Sequence, residues 1–147
     1  MIDAAEKVTG EAKYAADLKF PNMLVGKILR SPHPHAKILK IDIDRARKVP
    51  GVKAVVTAAD TPGKKWGAFI EDQTILASGK VRYAGEEVVA VAAVDEQTAE
   101  EALDLIKADY EILPAVFDPE KAVLPEAPQR RTPPAGPTWT CEQDKGS

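Results

Sequence analysis

Hydrophobic and polar residues alternate with a period of two in several short stretches of the chain. In residues 38–43, Leu39, Ile41 and Ile43 fall on one face, with Lys40 and Asp42 on the other. Because successive side chains of a strand point to opposite faces, this alternation predicts a half-buried β-strand. Further strands are predicted over residues 23–30, 52–57, 81–83, 88–94 and 109–113. The strand at 88–94 contains only valine and alanine, which predicts burial on both of its faces.

A change from period two to a helical period after residue 94 predicts an amphipathic helix. Its apolar stripe consists of Ala99, Ala102, Leu103 and Ile106. Asp95 is the expected N-cap, since its carboxylate can accept the free N–H groups of the first turn. By the same reasoning Asp44 is expected to cap a short helix through Val49. The order of strands and few helices predicts a mixed α/β or α+β domain.

Proline crowding divides the chain near residue 124. Five prolines follow, at positions 125, 128, 133, 134 and 137. Proline lacks a backbone N–H, so neither a helix nor a central strand is expected there. We therefore expect one domain over residues 1–124 and a disordered Pro-rich tail over residues 125–147.

Composition and charge exclude several classes of protein. The chain has 147 residues, 20 basic and 23 acidic, and a net charge of −3, which argues against a basic nucleic-acid-binding surface. No apolar run approaches the ~20 residues of a membrane span, so no membrane association is expected. The first residues lack the pattern of a secretory signal, so a cytoplasmic location is expected.

The segment Ser31-Pro32-His33-Pro34-His35 is the first candidate for chemistry, because two imidazoles could bind a metal. A zinc site needs three or four ligands, and the chain offers only these histidines and one distant cysteine. The two prolines favour a rigid turn instead.

Two further motifs fail on spacing or direction. Gly63-Lys64-Lys65 lacks both the upstream glycine and the following Ser or Thr of a phosphate-binding loop. Glu86 and Glu87 could form a carboxylate pair, but adjacent strand residues point to opposite faces. A solvated turn at Gly85 is the expected role of this segment.

The remaining candidates are one thiol and two aromatic residues. Cys141 lies in the tail, about a hundred positions from either histidine, so an inert thiol is expected. Trp66 and Phe69 lie in a predicted loop. They either form a patch that faces a partner or, more commonly, cover the open end of a small sheet.

An ordered series of motifs over residues 3–123 carries a family resemblance. The series comprises Lys7-Val8-Thr9-Gly10, Arg30-Ser31-Pro32, Pro50-Gly51-Val52, Val81-Arg82-Tyr83 and Tyr110-Glu111 with Leu113-Pro114. In this order and spacing the chain resembles the N-terminal α/β-hammerhead domain of the molybdenum-cofactor (large) subunit of the xanthine dehydrogenase and aldehyde oxidase family. The expected fold is thus a mixed-sheet α/β-hammerhead.

The resemblance implies a parent oxidoreductase that hydroxylates aldehydes or heteroaromatic rings, in a family that includes CO dehydrogenases and 4-hydroxybenzoyl-CoA reductases. It implies a molybdopterin dinucleotide, iron–sulfur clusters and usually FAD in that parent. The implied partners are the pterin-binding domains of the same large subunit and an iron–sulfur subunit or domain. The hammerhead domain itself is implied to be a scaffold.

The family's pterin-contacting loops and catalytic glutamate follow the hammerhead domain, and from Arg130 the resemblance ends. No catalytic, cofactor-binding or metal-binding residue is therefore assigned here, and we expect the chain alone to be inactive. It is expected to be a piece of the larger protein, a truncated or frameshifted gene product or a naturally split subunit. The alternatives are a free-standing interaction module with the same fold and a small metal-binding protein using His33 and His35.

Overall fold

A computed structural model describes residues 4–67 and 71–128. Its helices are α1 (Ala4–Thr9), α2 (Glu96–Asp104) and α3 (Pro119–Ala122). Its strands are β1 (Val25–Arg30), β2 (Ala36–Asp42), β3 (Val52–Val56), β4 (Lys80–Val81), β5 (Glu87–Ala93) and β6 (Lys107–Ile112). Among these residues, no helix combines the length and apolar character that crossing a membrane requires.

The first sheet has the strand order β1-β5-β3, with the Val/Ala strand β5 in the centre. Both pairings are antiparallel and place Val91 opposite Lys27 on one side and Val55 on the other. Val88, Val89 and Val91 are fully buried, and burying each such side chain stabilises the fold by roughly 1.5–3 kcal/mol. The predicted burial is confirmed for β5 itself, whereas Val94 lies beyond the strand and is 46% exposed.

Helix α2 follows β5 and packs against the first sheet. Asp95 is its N-cap, as predicted, and its carboxylate accepts the Thr98 N–H at 2.8 Å. Ala99 and Ala102 are fully buried, so the helix lies close to the sheet. The Lys27 ammonium on β1 contacts Glu96 at 2.6 Å and Glu100 at 3.0 Å, which joins the exposed side of the helix to the sheet.

The second sheet has the order β4-β2-β6 and contains a β-bulge. Its register pairs Ile38 with Tyr110 and Lys40 with Asp109, so Leu39 is the extra residue. The bulge reverses the predicted alternation, because Ile38 packs against the core while Leu39 is 58% exposed. The prediction that Leu39 shares a buried face with Ile41 was therefore wrong.

The α+β class with few helices is confirmed, and the pairings within both sheets are antiparallel rather than mixed in direction. The predicted cap at Asp44 was wrong. The helix there is a short 3-10 turn, Ala46–Lys48, which begins after Arg45 without a side-chain cap. Asp44 instead donates its N–H to Asp42 Oδ1 at 3.1 Å. Helices α1 and α3 were not predicted, because neither has a buried stripe.

Candidate functional site

The segment from Ser31 to His35 connects β1 to β2 as a turn. The Ser31 N–H donates to the Glu86 carbonyl at 2.9 Å, and the Ser31 carbonyl accepts the Gly85 N–H at 2.8 Å. The Ser31 hydroxyl accepts the His33 N–H at 3.1 Å. These bonds fix the turn against the loop that precedes β5, so the structural-turn interpretation is confirmed.

The two histidines of this turn contact different partners. His35 is buried, and its Nδ1 lies 2.6 Å from the carbonyl oxygen of Pro114, to which it can only donate. The His33 ring meets the Tyr110 ring edge-on at 5.2 Å. Within residues 4–67 and 71–128, no group of three His, Cys, Asp or Glu residues is placed to bind a metal ion. Both imidazoles thus serve the packing of β2 against β6.

Glu86 is buried rather than solvated, which corrects the prediction for this turn. Its side chain is held by Arg82, whose backbone N–H donates to one carboxylate oxygen and whose Nη1 lies 3.5 Å from the other. Only 8% of the residue is exposed. A carboxylate can be buried here because the neighbouring guanidinium balances its charge.

Glu87 is directed to a different set of partners. Its carboxylate contacts the Arg30 guanidinium at 2.5 Å and accepts the Tyr83 hydroxyl at 3.3 Å. Its own backbone N–H and then Arg30 hold the pKa of Glu87 below its ordinary value. Burial, followed by the charges of Glu87 and Glu86, raises the pKa of Tyr83. The two adjacent carboxylates are therefore bound by different side chains, although both lie close enough to Tyr83 to affect its pKa.

An open cleft of about 450 Å³ lies beside these carboxylates. Trp66 and Tyr83 form part of its wall, and its charged lining consists of Asp72, Glu86 and Glu87 with Arg82. Trp66 is 58% exposed, so the interpretation that it covers the end of a sheet was wrong. It pairs through its backbone with Gln73, which holds the ring at the surface of the loop.

Other candidates do not join this cleft. Gly63, Lys64 and Lys65 are exposed in the loop before Trp66, and Gly63 has a φ of 66°. Cys141 and Phe69 lie outside the described residues, as does the greater part of the predicted tail.

The ends of the described chain carry a feature that the sequence patterns did not reveal. Residues 4–24, which we name the N-terminal arm, contain six large apolar side chains that remain exposed. They are Val8, Tyr14, Leu18, Phe20, Met23 and Leu24. Phe117, Val123 and Leu124 are exposed in the same way after β6. Hydrophobic content alone cannot show this, because only the tertiary structure tells which apolar residues lack a covering element.

Two three-stranded antiparallel sheets with one helix packed against the first define an α/β-hammerhead domain. The family model described as "Aldehyde oxidase and xanthine dehydrogenase, a/b hammerhead domain" matches residues 9–114. The chain belongs to this family. The match lies within the region that carried the resemblance in the sequence.

Known proteins similar to this chain are large by comparison with it. The chain is 49% identical over 126 residues to a probable xanthine dehydrogenase subunit of Bacillus subtilis (strain 168), covering 85% of this chain but 17% of that protein. It is 41% identical to the nicotinate dehydrogenase large molybdopterin subunit of Eubacterium barkeri, covering 86% of this chain and 30% of that protein. The crystal structure of a Cu,Mo-CO dehydrogenase superposes with a TM-score of 0.79 at 40% identity, covering 86% of this chain and 16% of that one. The chain thus spans less than a third of each of these proteins.

Proposed function

We propose that this chain is the scaffold domain of the large subunit of a molybdenum-dependent oxidoreductase and is not catalytic alone. The observation that carries the proposal is the match of residues 9–114 to the hammerhead model, together with similarity to molybdenum enzymes of which the chain spans 16–30%. A domain of this kind supplies surface and rigidity to a larger protein. The reactive groups of the parent belong to its other parts.

The charged groups beside the cleft support a structural role. Glu86 is bound by Arg82, and Glu87 is bound by Arg30 and Tyr83. A general base must be able to reach and accept a proton from a substrate. These carboxylates instead fix the turn at Gly85 between β4 and β5.

The lining of the cleft beside Trp66 does not fit the phosphate-bearing cofactors that the family implies. A pterin dinucleotide carries phosphate groups, which proteins bind with backbone N–H groups and basic side chains. The charged lining of the cleft consists of three carboxylates and one guanidinium, Asp72, Glu86 and Glu87 with Arg82. Such a surface repels an anion. We propose that molybdopterin, iron–sulfur clusters and FAD are held by other parts of the parent enzyme.

The proposed partners are the pterin-binding domains of the same large subunit and an iron–sulfur subunit or domain. The substrate of the parent is an aldehyde, a heteroaromatic ring such as xanthine, CO or a hydroxybenzoyl thioester. Two expectations stay predictions: the cytoplasmic location and the boundary between a domain at 1–124 and a tail at 125–147.

Co-expression and elemental analysis test this function. The 147-residue chain would be expressed with a tagged polypeptide comprising the part of the B. subtilis relative that follows its matched segment. We expect the two to co-purify, and we expect the chain purified by itself to contain no stoichiometric molybdenum. A Val89→Asp variant, which places a charge in the core, serves as the unfolded control. Failure of the native chain to co-purify, or one molybdenum per isolated chain, would contradict the proposal.

The alternative of a free-standing interaction module makes a different prediction about the gene. A reading frame downstream of Ser147 that encodes pterin-domain sequence, in frame or shifted, supports the scaffold function. An unrelated downstream gene supports the alternative.

A further inference from the structure

The N-terminal arm is locally ordered. The Ala12 N–H donates to the Glu6 carbonyl at 2.9 Å where the chain leaves α1. The Tyr14 N–H donates to Asp17 Oδ2 at 3.0 Å, and the Met23 N–H donates to the Phe20 carbonyl at 3.1 Å. The arm therefore holds a defined conformation through bonds between near neighbours.

This order is not accompanied by burial. No residue between 4 and 24, Ala16 left aside, is buried. Val8 is 88% exposed, Phe20 64% and Tyr14 58%. Soluble domains rarely leave so many large apolar side chains uncovered along one segment, and such surfaces mark sites of interaction. A segment that is already ordered loses less conformational entropy when it binds.

The charge of the arm indicates what kind of surface it binds. Residues 4–24 contain three acidic and three basic side chains, so their net charge is zero. Nucleic acids and anionic membranes attract surfaces with an excess of Lys and Arg. An apolar segment with balanced charge is instead suited to an apolar groove on another folded polypeptide.

We propose that the N-terminal arm docks into an apolar groove of the remainder of the large subunit, with Tyr14 and Phe20 as its anchors. The inference rests on the proposed function. The occupant is inferred from chain length: the matched segment is 17% of the B. subtilis relative, so the larger part of such a subunit lies outside this domain and can cover the arm. Tyr14 and Phe20 are chosen because aromatic side chains dominate the binding energy of protein interfaces.

The test compares an arm variant with a matched control in the co-purification described above. Tyr14→Ala combined with Phe20→Ala removes both anchors. Leu39→Ala is the control, because Leu39 is as exposed as Tyr14, 58% each, but lies at the bulge of β2. We expect the arm variant to lose about tenfold or more in apparent affinity, and the control to keep it. The conservative pair Tyr14→Phe and Phe20→Tyr should restore capture.

The outcomes separate this inference from the function on which it rests. Capture of the arm variant at native affinity overturns the docking role of the arm and leaves the scaffold function standing. If the native chain itself does not co-purify, both the scaffold function and the docking of the arm are contradicted. The arm variant and the Leu39→Ala control should both keep the native midpoint of urea unfolding, since all the replaced side chains are exposed. Arm-dependent binding of the native chain to vesicles of anionic phospholipid would overturn the assignment to a protein groove.

Discussion

His35, the residue just before β2, and Pro114, beyond the end of β6, are joined by a hydrogen bond of 2.6 Å between Nδ1 and the carbonyl oxygen. The two residues are 79 positions apart in the chain. The bond therefore ties the turn that leads into β2, the central strand of the second sheet, to the segment that follows β6. Burial of His35 shields this bond from water.

Replacing His35 by alanine should destabilise the domain by about 2–4 kcal/mol, because the Pro114 carbonyl loses its donor and a buried volume is left empty. Urea unfolding measures the loss. His33→Ala is the matched control and should cost about 1 kcal/mol or less, since its contact is one ring pair with Tyr110. Equal costs for the two variants would contradict the structural role assigned to His35.

The bulge at Leu39 predicts opposite outcomes for neighbouring lysine substitutions. Leu39→Lys should change the free energy of unfolding by no more than about 0.5 kcal/mol, because the side chain is exposed. Ile38→Lys should cost about 2–4 kcal/mol, since Ile38 packs against the core. Thermal and urea unfolding measure both costs. In a strand that alternates without a bulge, Leu39 would face the core, and Leu39→Lys would cost more than Ile38→Lys.

Gly51 should not tolerate a side chain. Its φ is 96°, and an added Cβ would lie 2.9 Å from Val94 Cγ2 and 3.1 Å from Thr98 Cγ2. Gly51→Ala should destabilise the domain by about 2–3 kcal/mol, through backbone strain and this collision. Gly63, with a φ of 66° and no atom within 4 Å of an added Cβ, is the control without a collision, and Gly63→Ala should cost about 1 kcal/mol through backbone strain. A larger loss of stability for Gly63→Ala than for Gly51→Ala would show that the contacts with Val94 and Thr98 do not set the cost at Gly51.

The cap at Asp95 should make stability depend on pH. Hydrogen bonding from Thr98 lowers the pKa of Asp95 in the folded state, so the charged cap stabilises the domain above the unfolded-state pKa of about 3.9. That stabilisation is lost as the pH falls through the lower folded value. Asp95→Ala should lower the Tm by a few degrees at pH 7 and by less in acid.

Asp95→Asn is the control for this titration, since asparagine caps helices without titrating. Its Tm should stay near the native value at pH 7. A native-minus-alanine difference that is constant from pH 7 to pH 3 would show that the carboxylate charge contributes nothing.

Local patterns predicted the elements whose signals are short in range. The Val/Ala strand β5 and the cap at Asp95 depend on neighbouring residues alone, and both are confirmed. The turn that contains Glu86 is held against the distant residue Ser31 through the backbone of Gly85 and Glu86. The bulge at Leu39 depends on the register with β6. Neither has a signature in its own segment, which is why the sequence led to a solvated turn and to unbroken alternation.

In the candidate site, too, features defined by sequence distance differ from features that depend on the tertiary structure. Spacing rules set aside the phosphate-loop interpretation of Gly63-Lys64 from the sequence alone, because such motifs are defined by sequence distance. The exposure of Trp66 and of the N-terminal arm could not be predicted, because burial of an apolar residue is decided by elements distant in the chain.

The central place of β5 in the first sheet bears on how the domain forms during synthesis. Leu29 pairs with Val89 and Val55 with Val91, so neither outer strand finds its neighbour until the ribosome has released residue 93. Contacts this distant in sequence close slowly. The outer strands β1 and β3 therefore remain unpaired, and accessible to chaperones, until the valine and alanine residues of β5 have left the ribosome.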